Sequence, residues 1–258
     1  MHCYFVLAGN DDIPIIYHVE HVREGRSFAT RTVQARQRGK PIFTTTMSFV
    51  RENSGGSELV EHSADMPDVP GPTEPNDQDG TQWASSPFES QQLDILNHDS
   101  AHPQTKKTRQ WIRARGRISP SGGHEAHLSA LAYMSDNYFI GTVTRVHKLT
   151  RALRRPQARN EKPGKGLTFW ESPKQSDEDS QTADRPAQSE PRPKREPEVG
   201  MMVSLDHTIY FHRPRDFRAD EWIFTEMESP WAGDGRGLVL QRIFQRGKLI
   251  ATCVQEVS

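Results

Sequence analysis

Near both ends of the chain, runs of β-branched and aromatic residues are separated by short polar segments. Each run is bounded by Gly, Asn or Asp, or by the tetrapeptide Gln-Arg-Gly-Lys, and these boundaries are typical of turns between strands. The pattern therefore predicts two sets of four β-strands. The first set spans residues 3–7, 14–22, 27–35 and 41–50, and the second spans residues 203–211, 221–228, 237–244 and 249–257.

The middle of the chain contains a further strand and a helix. Residues 108–118 have the composition of a strand, and residues 125–142 carry apolar side chains at the spacing of one helical face. The loop residues Ser121-Gly-Gly precede the predicted helix. The apolar positions that would form its buried face are Leu128, Leu131, Ala132, Tyr138, Phe139 and Ile140.

Two segments lack apolar periodicity. Residues 51–105 hold eleven acidic residues and one arginine, and residues 156–199 hold seven prolines among alternating charges. Such compositions bury too little apolar surface to offset the entropy cost of ordering the chain. We therefore expect a partial N-terminal domain over residues 1–50 and a largely loop segment over 51–105. A C-terminal domain over 106–258 follows, with a disordered insertion at about 156–199.

Some local order is expected inside these two segments. A short helix is predicted over residues 89–96, because Phe88, Leu93 and Leu96 would then lie on one side of it. In the second segment, Phe169 and Trp170 are the aromatic residues that could dock locally.

Composition narrows the class of protein. The 258 residues include 33 Lys and Arg against 34 Asp and Glu, a formal charge of −1, so no basic excess is available to neutralise nucleic acid phosphates. The two cysteines, Cys3 and Cys253, have no CxxC partner and predict a reducing compartment. No apolar run approaches the roughly 18–20 residues of a membrane span. We therefore expect a soluble intracellular protein.

The two sets of strands resemble each other closely, which indicates an internal duplication. Gly25-Arg-Ser-Phe28 precedes Gln37-Arg-Gly-Lys40, and Gly235-Arg-Gly-Leu238 precedes Gln245-Arg-Gly-Lys248. The Gln-Arg-Gly-Lys units are predicted hairpin turns in which glycine supplies a positive φ. A predicted strand and helix precede the second set, whereas the chain begins inside the first strand of the first set. From this we expect a first unit that lacks its first strand and its helix.

A strand, a long buried helix and a four-stranded meander, duplicated in one chain, resemble the double hotdog fold, an α+β fold of two antiparallel sheets that each wrap a central helix. Particular motifs resemble the acyl-CoA thioesterase II family of bacteria and peroxisomes. In the second half these are Arg109-Gln-Trp-Ile-Arg113, Tyr133-Met-Ser-Asp136, Ser204-Leu-Asp-His207, Phe211-His-Arg-Pro214, Glu221-Trp222 and Val254-Gln255-Glu256. In the first half they are Pro14-Ile-Ile-Tyr17, Arg23-Glu-Gly-Arg-Ser-Phe28 and Gly39-Lys-Pro-Ile-Phe43.

The resemblance implies hydrolysis of fatty acyl-CoA thioesters to free fatty acid and CoA. It implies a catalytic trio of Asp136, Ser204 and Gln255, which orients and activates a water that attacks the thioester carbonyl. No cofactor and no metal are implied, and the implied partner is the acyl-CoA substrate, with self-association left open. An alternative interpretation is a truncated, non-catalytic paralogue that binds acyl-CoA or is inactive.

The resemblance also implies a peroxisomal location. Peroxisomal members commonly end in a Ser-Lys-Leu-like tripeptide, whereas this chain ends Glu256-Val-Ser258. A cytoplasmic location is therefore the other expectation.

The residues themselves single out Asp136 more than the other two members of the trio. Asp136 lies four positions from both Ala132 and Ile140, on or beside the apolar stripe of the predicted helix. A carboxylate there is costly unless it is partnered, and burial would raise its pKa toward the range of a general base. The alternative is a solvated helix edge. Ser204 and Gln255 carry little information without the resemblance.

Other patterns favour structural interpretations. His124-Glu-Ala-His127 lacks the HExxH register of a zinc helix, and Gly233-Asp-Gly-Arg-Gly237 leads into a strand rather than the helix N-terminus of a phosphate loop. Both cysteines lie in apolar strands and are predicted to be inert core thiols.

Overall fold

A computed structural model describes residues 1–52, 54, 60–73, 86–149 and 202–258. The insertion predicted at about 156–199, including Phe169 and Trp170, lies outside these residues. Within the described ranges, no helix is long and apolar enough to cross a membrane.

The strands of the described residues form one antiparallel sheet. In chain order the strands are β1 His2–Phe5, β2 Ile16–Glu24, β3 Phe28–Gln37, β4 Lys40–Val50, β5 Phe88–Leu96, β6 Lys107–Ala114, β7 Asp206–Phe211, β8 Ile223–Gly233, β9 Arg236–Gln245 and β10 Lys248–Val257.

From edge to edge, the order of the strands in the sheet is β2-β3-β4-β1-β7-β10-β9-β8-β6-β5. The two predicted sets of strands are therefore joined through β1 and β7, which pair directly, with Cys3 opposite His207.

The predicted long helix is two helices. α1 spans Gly123–Asp136 and α2 spans Ile140–Val146, with a turn between them. The prediction of one continuous helix over 125–142 was therefore wrong at residues 137–139. This break matters for the site, because it makes Asp136 the last residue of α1.

The main core lies between these helices and the second half of the sheet. Leu131, Met134 and Phe139 from the helical segment are fully buried against strand residues that include Ile112 and Ile243. The alternation along the strands places these apolar side chains on one face of the sheet. Burying them provides most of the free energy that holds α1 in place.

The segment 51–105, predicted to be largely loop, contributes an edge strand. The helix predicted over 89–96 is wrong, because these residues form β5, which pairs with β6. Phe88 joins the helix-side core, whereas Leu93 packs against a second cluster on the opposite face. The apolar side chains thus divide between the two faces of a sheet instead of sharing one side of a helix.

The opposite face of the second half is covered by an extended segment. Trp111, Phe224 and Phe244 form a small buried cluster there, with Met66 and Val69 packed against it. The Trp111 indole Nε1 donates a hydrogen bond to the Pro70 carbonyl at 2.9 Å, which ties residues 66–70 to the sheet.

The corresponding helix-side face of the first half is open. Among the described residues no helix lies on it, and Tyr17, Val19 and Phe49 are 64%, 58% and 52% exposed. These three side chains lie on the same face as Cys3, according to the registers of β1 to β4.

The internal duplication extends to the hydrogen bonds of two glutamines. Gln37 accepts from the Asn10 backbone N–H at 2.9 Å and donates to the Asn10 and Ile13 carbonyls. Gln245 accepts from the Arg218 N–H at 2.9 Å and donates to the Arg218 carbonyl at 2.8 Å. In each half the glutamine thus holds a loop residue that precedes it by 27 positions.

The turns that follow these glutamines also match. The φ angles are 49° and 77° at Arg38 and Gly39, and 51° and 76° at Arg246 and Gly247. Both turns therefore have two consecutive residues in the left-handed region, as the favoured two-residue hairpin requires.

Candidate active site

Asp136 and Gln255 are in direct contact. The Gln255 Nε2 donates a hydrogen bond to Asp136 Oδ1 at 2.6 Å, although the two residues are 119 positions apart in the chain. Asp136 ends α1, and Gln255 lies near the end of β10 on the face that α1 covers. The Gln255 side chain is fully buried, whereas the Asp136 side chain is 38% exposed. The carboxylate is thus fixed from inside the protein and open to a molecule from outside.

Burial changes the acidity of Asp136. Removal of the carboxyl from water raises its pKa above the ordinary value, and the hydrogen bond from Gln255 opposes that rise. A carboxylate whose pKa is raised is a stronger base than a solvent-exposed aspartate. Since it still reaches solvent, it can accept a proton from a water molecule or a ligand.

Ser204 lies close to this pair without a direct bond to it. Ser204 bridges to Val257 in the antiparallel ladder, and paired residues in a ladder point to the same face. Val257 and Gln255 are two positions apart and also share a face, so Ser204 lies on the side that α1 covers. Among the hydrogen bonds of the described residues, none joins the Ser204 side chain to Asp136 or Gln255.

His207 also belongs to this site, and the sequence reasoning did not include it. Its Nδ1 lies 3.8 Å from Asp136 Oδ1, and its Nε2 lies 2.9 Å from the Ser135 Oγ. Its position in the sequence could have indicated this. His207 follows Ser204 by three residues in the motif Ser204-Leu-Asp-His207, and along the strand it lies on the same face as Ile209. Burial lowers the pKa of His207 to about 4, so the imidazole is neutral at physiological pH.

Two buried polar atoms at this site have no hydrogen-bond partner in the described part of the chain. They are the Oε1 of Gln255, whose Nε2 bonds to the Asp136 carboxylate, and the Nδ1 of His207, which lies 3.8 Å from that carboxylate. Buried polar atoms in proteins are nearly always paired, with protein or with ordered water. The arrangement therefore suits a small polar molecule that bonds to the carboxylate and to one or both of these atoms.

The cysteines of the core border the site. Cys3 lies opposite His207 on β1, and Cys253 lies two positions before Gln255 on β10. Both are buried, as predicted, and burial raises the pKa of Cys3 to about 11 and the pKa of Cys253 further in the same direction. Neither thiol is a significant nucleophile near neutral pH, because the thiolate is the reactive form.

No group of three or more metal-binding side chains occurs within the residues that the structure describes. His127, one of the two histidines considered above, has a structural role. Its Nδ1 accepts a hydrogen bond from the Ala219 backbone N–H at 3.1 Å. The segment Gly233–Gly237 forms the tight turn between β8 and β9, with positive φ at Asp234 and Gly235.

Two family models match consecutive parts of the chain. Residues 1–50 match the model described as an acyl-CoA thioesterase N-terminal domain. Residues 62–258 match the model described as an acyl-CoA thioesterase C-terminal domain.

The chain is also similar to individual proteins that are named acyl-CoA thioesterases. The chain is 33% identical to acyl-coenzyme A thioesterase 8 of Homo sapiens over 278 aligned positions, which cover 99% of the chain and 71% of the human protein. It is 34% identical over 71 positions to peroxisomal acyl-coenzyme A thioester hydrolase 1 of Saccharomyces cerevisiae, covering 28% of the chain and 20% of the yeast protein. The crystal structure of an acyl-CoA thioesterase II from Mycobacterium marinum superimposes with a TM-score of 0.67 at 28% identity, covering 99% of the chain and 77% of that protein.

Proposed function

The chain belongs to the acyl-CoA thioesterase II family and hydrolyses acyl-CoA thioesters, and we propose that the attacking group is a water molecule activated by Asp136. The hotdog fold and the family are established by the matches across both halves of the chain. The proposal concerns the residues that perform the reaction. The observation that carries it is the hydrogen bond from buried Gln255 to the partly exposed carboxylate of Asp136.

In the proposed reaction, Asp136 accepts a proton from water as the water oxygen bonds to the thioester carbonyl carbon. Gln255 holds the carboxylate in place through its Nε2. Its Oε1, which has no partner among the described residues, is available to accept a hydrogen bond from the same water. Ser204 positions the water or the carbonyl with its hydroxyl. Ser204 pairs with Val257, so Gln255 is its diagonal neighbour in the ladder, at the usual spacing of roughly 7–8 Å.

The second half of the reaction returns the proton. The tetrahedral intermediate collapses, the bond between the carbonyl carbon and sulfur breaks, and the CoA thiolate leaves. The protonated Asp136 then gives its proton to this thiolate, which becomes the CoA thiol. One water is consumed for each free acid and CoA released, and Asp136 is again ionised.

The proposed function is tested by the release of CoA thiol. The purified chain is expected to liberate thiol from fatty acyl-CoA esters without added metal, and EDTA is expected to leave the rate unchanged, because the proposed base is a carboxylate. Thiol release can be followed with a colorimetric thiol reagent over a series of acyl chain lengths. Loss of activity in EDTA that is restored by a divalent cation would contradict the mechanism.

We propose a peroxisomal location for the enzyme. The support is the similarity to a yeast protein that is named as peroxisomal, together with the family resemblance. A fluorescent protein fused to the N-terminus is expected to overlap with a peroxisomal marker in cells of the source organism. A diffuse cytoplasmic signal in cells with normal peroxisomes would contradict this proposal.

A further inference from the structure

Two contacts link α1 to β7 behind the proposed base. Ser135 contacts His207, and His207 faces Asp136, the residue next to Ser135 in the helix. We propose that His207 is a positioning residue that acts through Asp136: its unprotonated Nδ1 accepts a hydrogen bond from the Asp136 carboxyl once that carboxyl has taken a proton from water. This inference rests on the proposed function of Asp136 as the base.

The hydrogen bonds of Ser135 determine which nitrogen of His207 carries the proton. A serine hydroxyl has one proton to donate. The Ser135 Oγ lies 3.0 Å from the Ala132 carbonyl, one helical turn earlier, and donates its proton there. Ser135 then accepts from His207 at the 2.9 Å contact with Nε2. This hydrogen-bond network assigns the proton of the neutral ring to Nε2 and the lone pair to Nδ1.

The ring is held so that this lone pair stays at the site. His207 is 2% exposed, and the edge of Phe139 packs against it with the two ring centroids 5.4 Å apart. The Nδ1 atom is buried without a partner in the described part of the chain and lies 3.8 Å from Asp136 Oδ1. That distance is too long for a hydrogen bond. A small rotation of the Asp136 side chain brings the two atoms into range.

The arrangement favours one protonation state of Asp136 over the other. A lone pair that faces an ionised carboxylate repels it weakly, whereas the same lone pair accepts a hydrogen bond from the protonated carboxyl. Both effects raise the pKa of Asp136, in the same direction as its burial. A stronger base removes the proton from water more readily. At pH values above the pKa of Asp136, His207 therefore raises kcat, and it has little effect on substrate binding.

Four other ionisable groups lie near His207. The N-terminal amine of Met1 donates to the Ile209 carbonyl at 2.9 Å, and its positive charge adds to the lowering of the His207 pKa. Cys3 and Cys253 are neutral thiols near neutral pH. Asp206, the neighbour of His207 on β7, accepts from the Glu256 backbone N–H at 2.6 Å. The acidic limb of the pH–rate profile is therefore expected to follow Asp136.

A matched pair of variants separates the two nitrogens of His207. In His207→Gln the amide takes the place of Nε2 and keeps the contact with Ser135, but no acceptor remains beside Asp136. In His207→Asn the amide takes the place of Nδ1 and can present its oxygen to Asp136. We expect His207→Gln to lower kcat about tenfold, less than loss of the base itself. We also expect its acidic limb to move to lower pH at unchanged KM, while His207→Asn keeps the limb at the wild-type position.

Two further measurements do not depend on the folding of these variants. In the wild-type protein, long-range ¹H–¹⁵N correlation of the imidazole is expected to show a proton on Nε2 and none on Nδ1. Ser135→Ala removes the acceptor for Nε2 and favours helix, so the ring is free to place its proton on Nδ1. The acidic limb is then expected to move to lower pH, because Nδ1–H stabilises the ionised carboxylate.

The outcomes distinguish this inference from the proposed function. An unchanged acidic limb in His207→Gln and Ser135→Ala, or a proton on Nδ1 in the wild-type spectrum, would overturn the role of His207 while leaving Asp136 as the base. A near-native rate in Asp136→Asn would overturn the base and the role of His207 together.

Discussion

Replacement of Asp136 by Asn is expected to lower kcat by about 10²–10⁴, the usual effect of losing a general base. The amide has nearly the same shape as the carboxylate, and Gln255 can still reach its oxygen, so binding of acyl-CoA is expected to change little. The loss should therefore appear in kcat and not in KM. A matched control is Asp216→Asn, because Asp216 lies on the surface beside Arg213 and Lys248 and is expected to retain the wild-type rate.

The three residues of the proposed trio differ in whether their side chains can ionise, and this difference separates their roles in the reaction. Asp136 is the ionisable member and accepts the proton, whereas Ser204 and Gln255 can only orient groups by hydrogen bonds. Ser204→Ala and Gln255→Ala are therefore expected to lower kcat by less than Asp136→Asn does. The three losses should not add, because the residues act on one water.

A covalent mechanism, in which the acyl group is first transferred to the protein, would leave a detectable intermediate. If Ser204 were the nucleophile, mass spectrometry of protein quenched during a single turnover would detect an acyl group on Ser204. Direct attack by water instead predicts unmodified protein at every quench time. An acyl adduct, or an Asp136→Asn variant with a near-native rate, would overturn the assignment.

The strands were predictable because strand composition and turn chemistry are local signals. β3 and β4 are rich in β-branched and aromatic residues, and the turn between them contains Gln37-Arg-Gly-Lys40, so the composition and the turn chemistry agree. The same logic failed at residues 89–96. There the apolar side chains contact two different clusters on opposite faces of the sheet, and that division depends on Trp111 and Phe88 contacts that are distant in sequence.

The site was predictable only in part. The resemblance named Asp136 and Gln255, and the structure brings these two side chains into contact. His207 was missed because its role depends on Ser135 and on the tautomer that Ser135 selects, and neither is visible in residue spacing. The break between α1 and α2 was missed for a related reason. Apolar side chains continue through residues 138–140, so the helical spacing hides the turn at residues 137–139.

Replacement of Gln245 by Leu is expected to lower the free energy of unfolding by about 2 kcal/mol, the cost of leaving two partly buried backbone groups unpaired. Gln245 is 3% exposed, accepts from the Arg218 N–H and donates to the Arg218 carbonyl, with the Trp222 carbonyl also in range at 3.3 Å. Leucine fills similar volume and satisfies none of these groups. Urea denaturation followed by circular dichroism measures the change.

Gln241 on the same strand provides the control for the substitution itself. It is fully buried, and both polar atoms of its amide lack a hydrogen-bond partner among the described residues. Gln241→Leu therefore removes two unpaired polar atoms and breaks no hydrogen bond between described residues, so it is expected to leave stability unchanged or to raise it. If Gln241→Leu were as destabilising as Gln245→Leu, loss of the hydrogen bonds to the loop could not explain the effect. If Gln245→Leu were neutral, the glutamine would not be what holds residues 218–222 against the sheet.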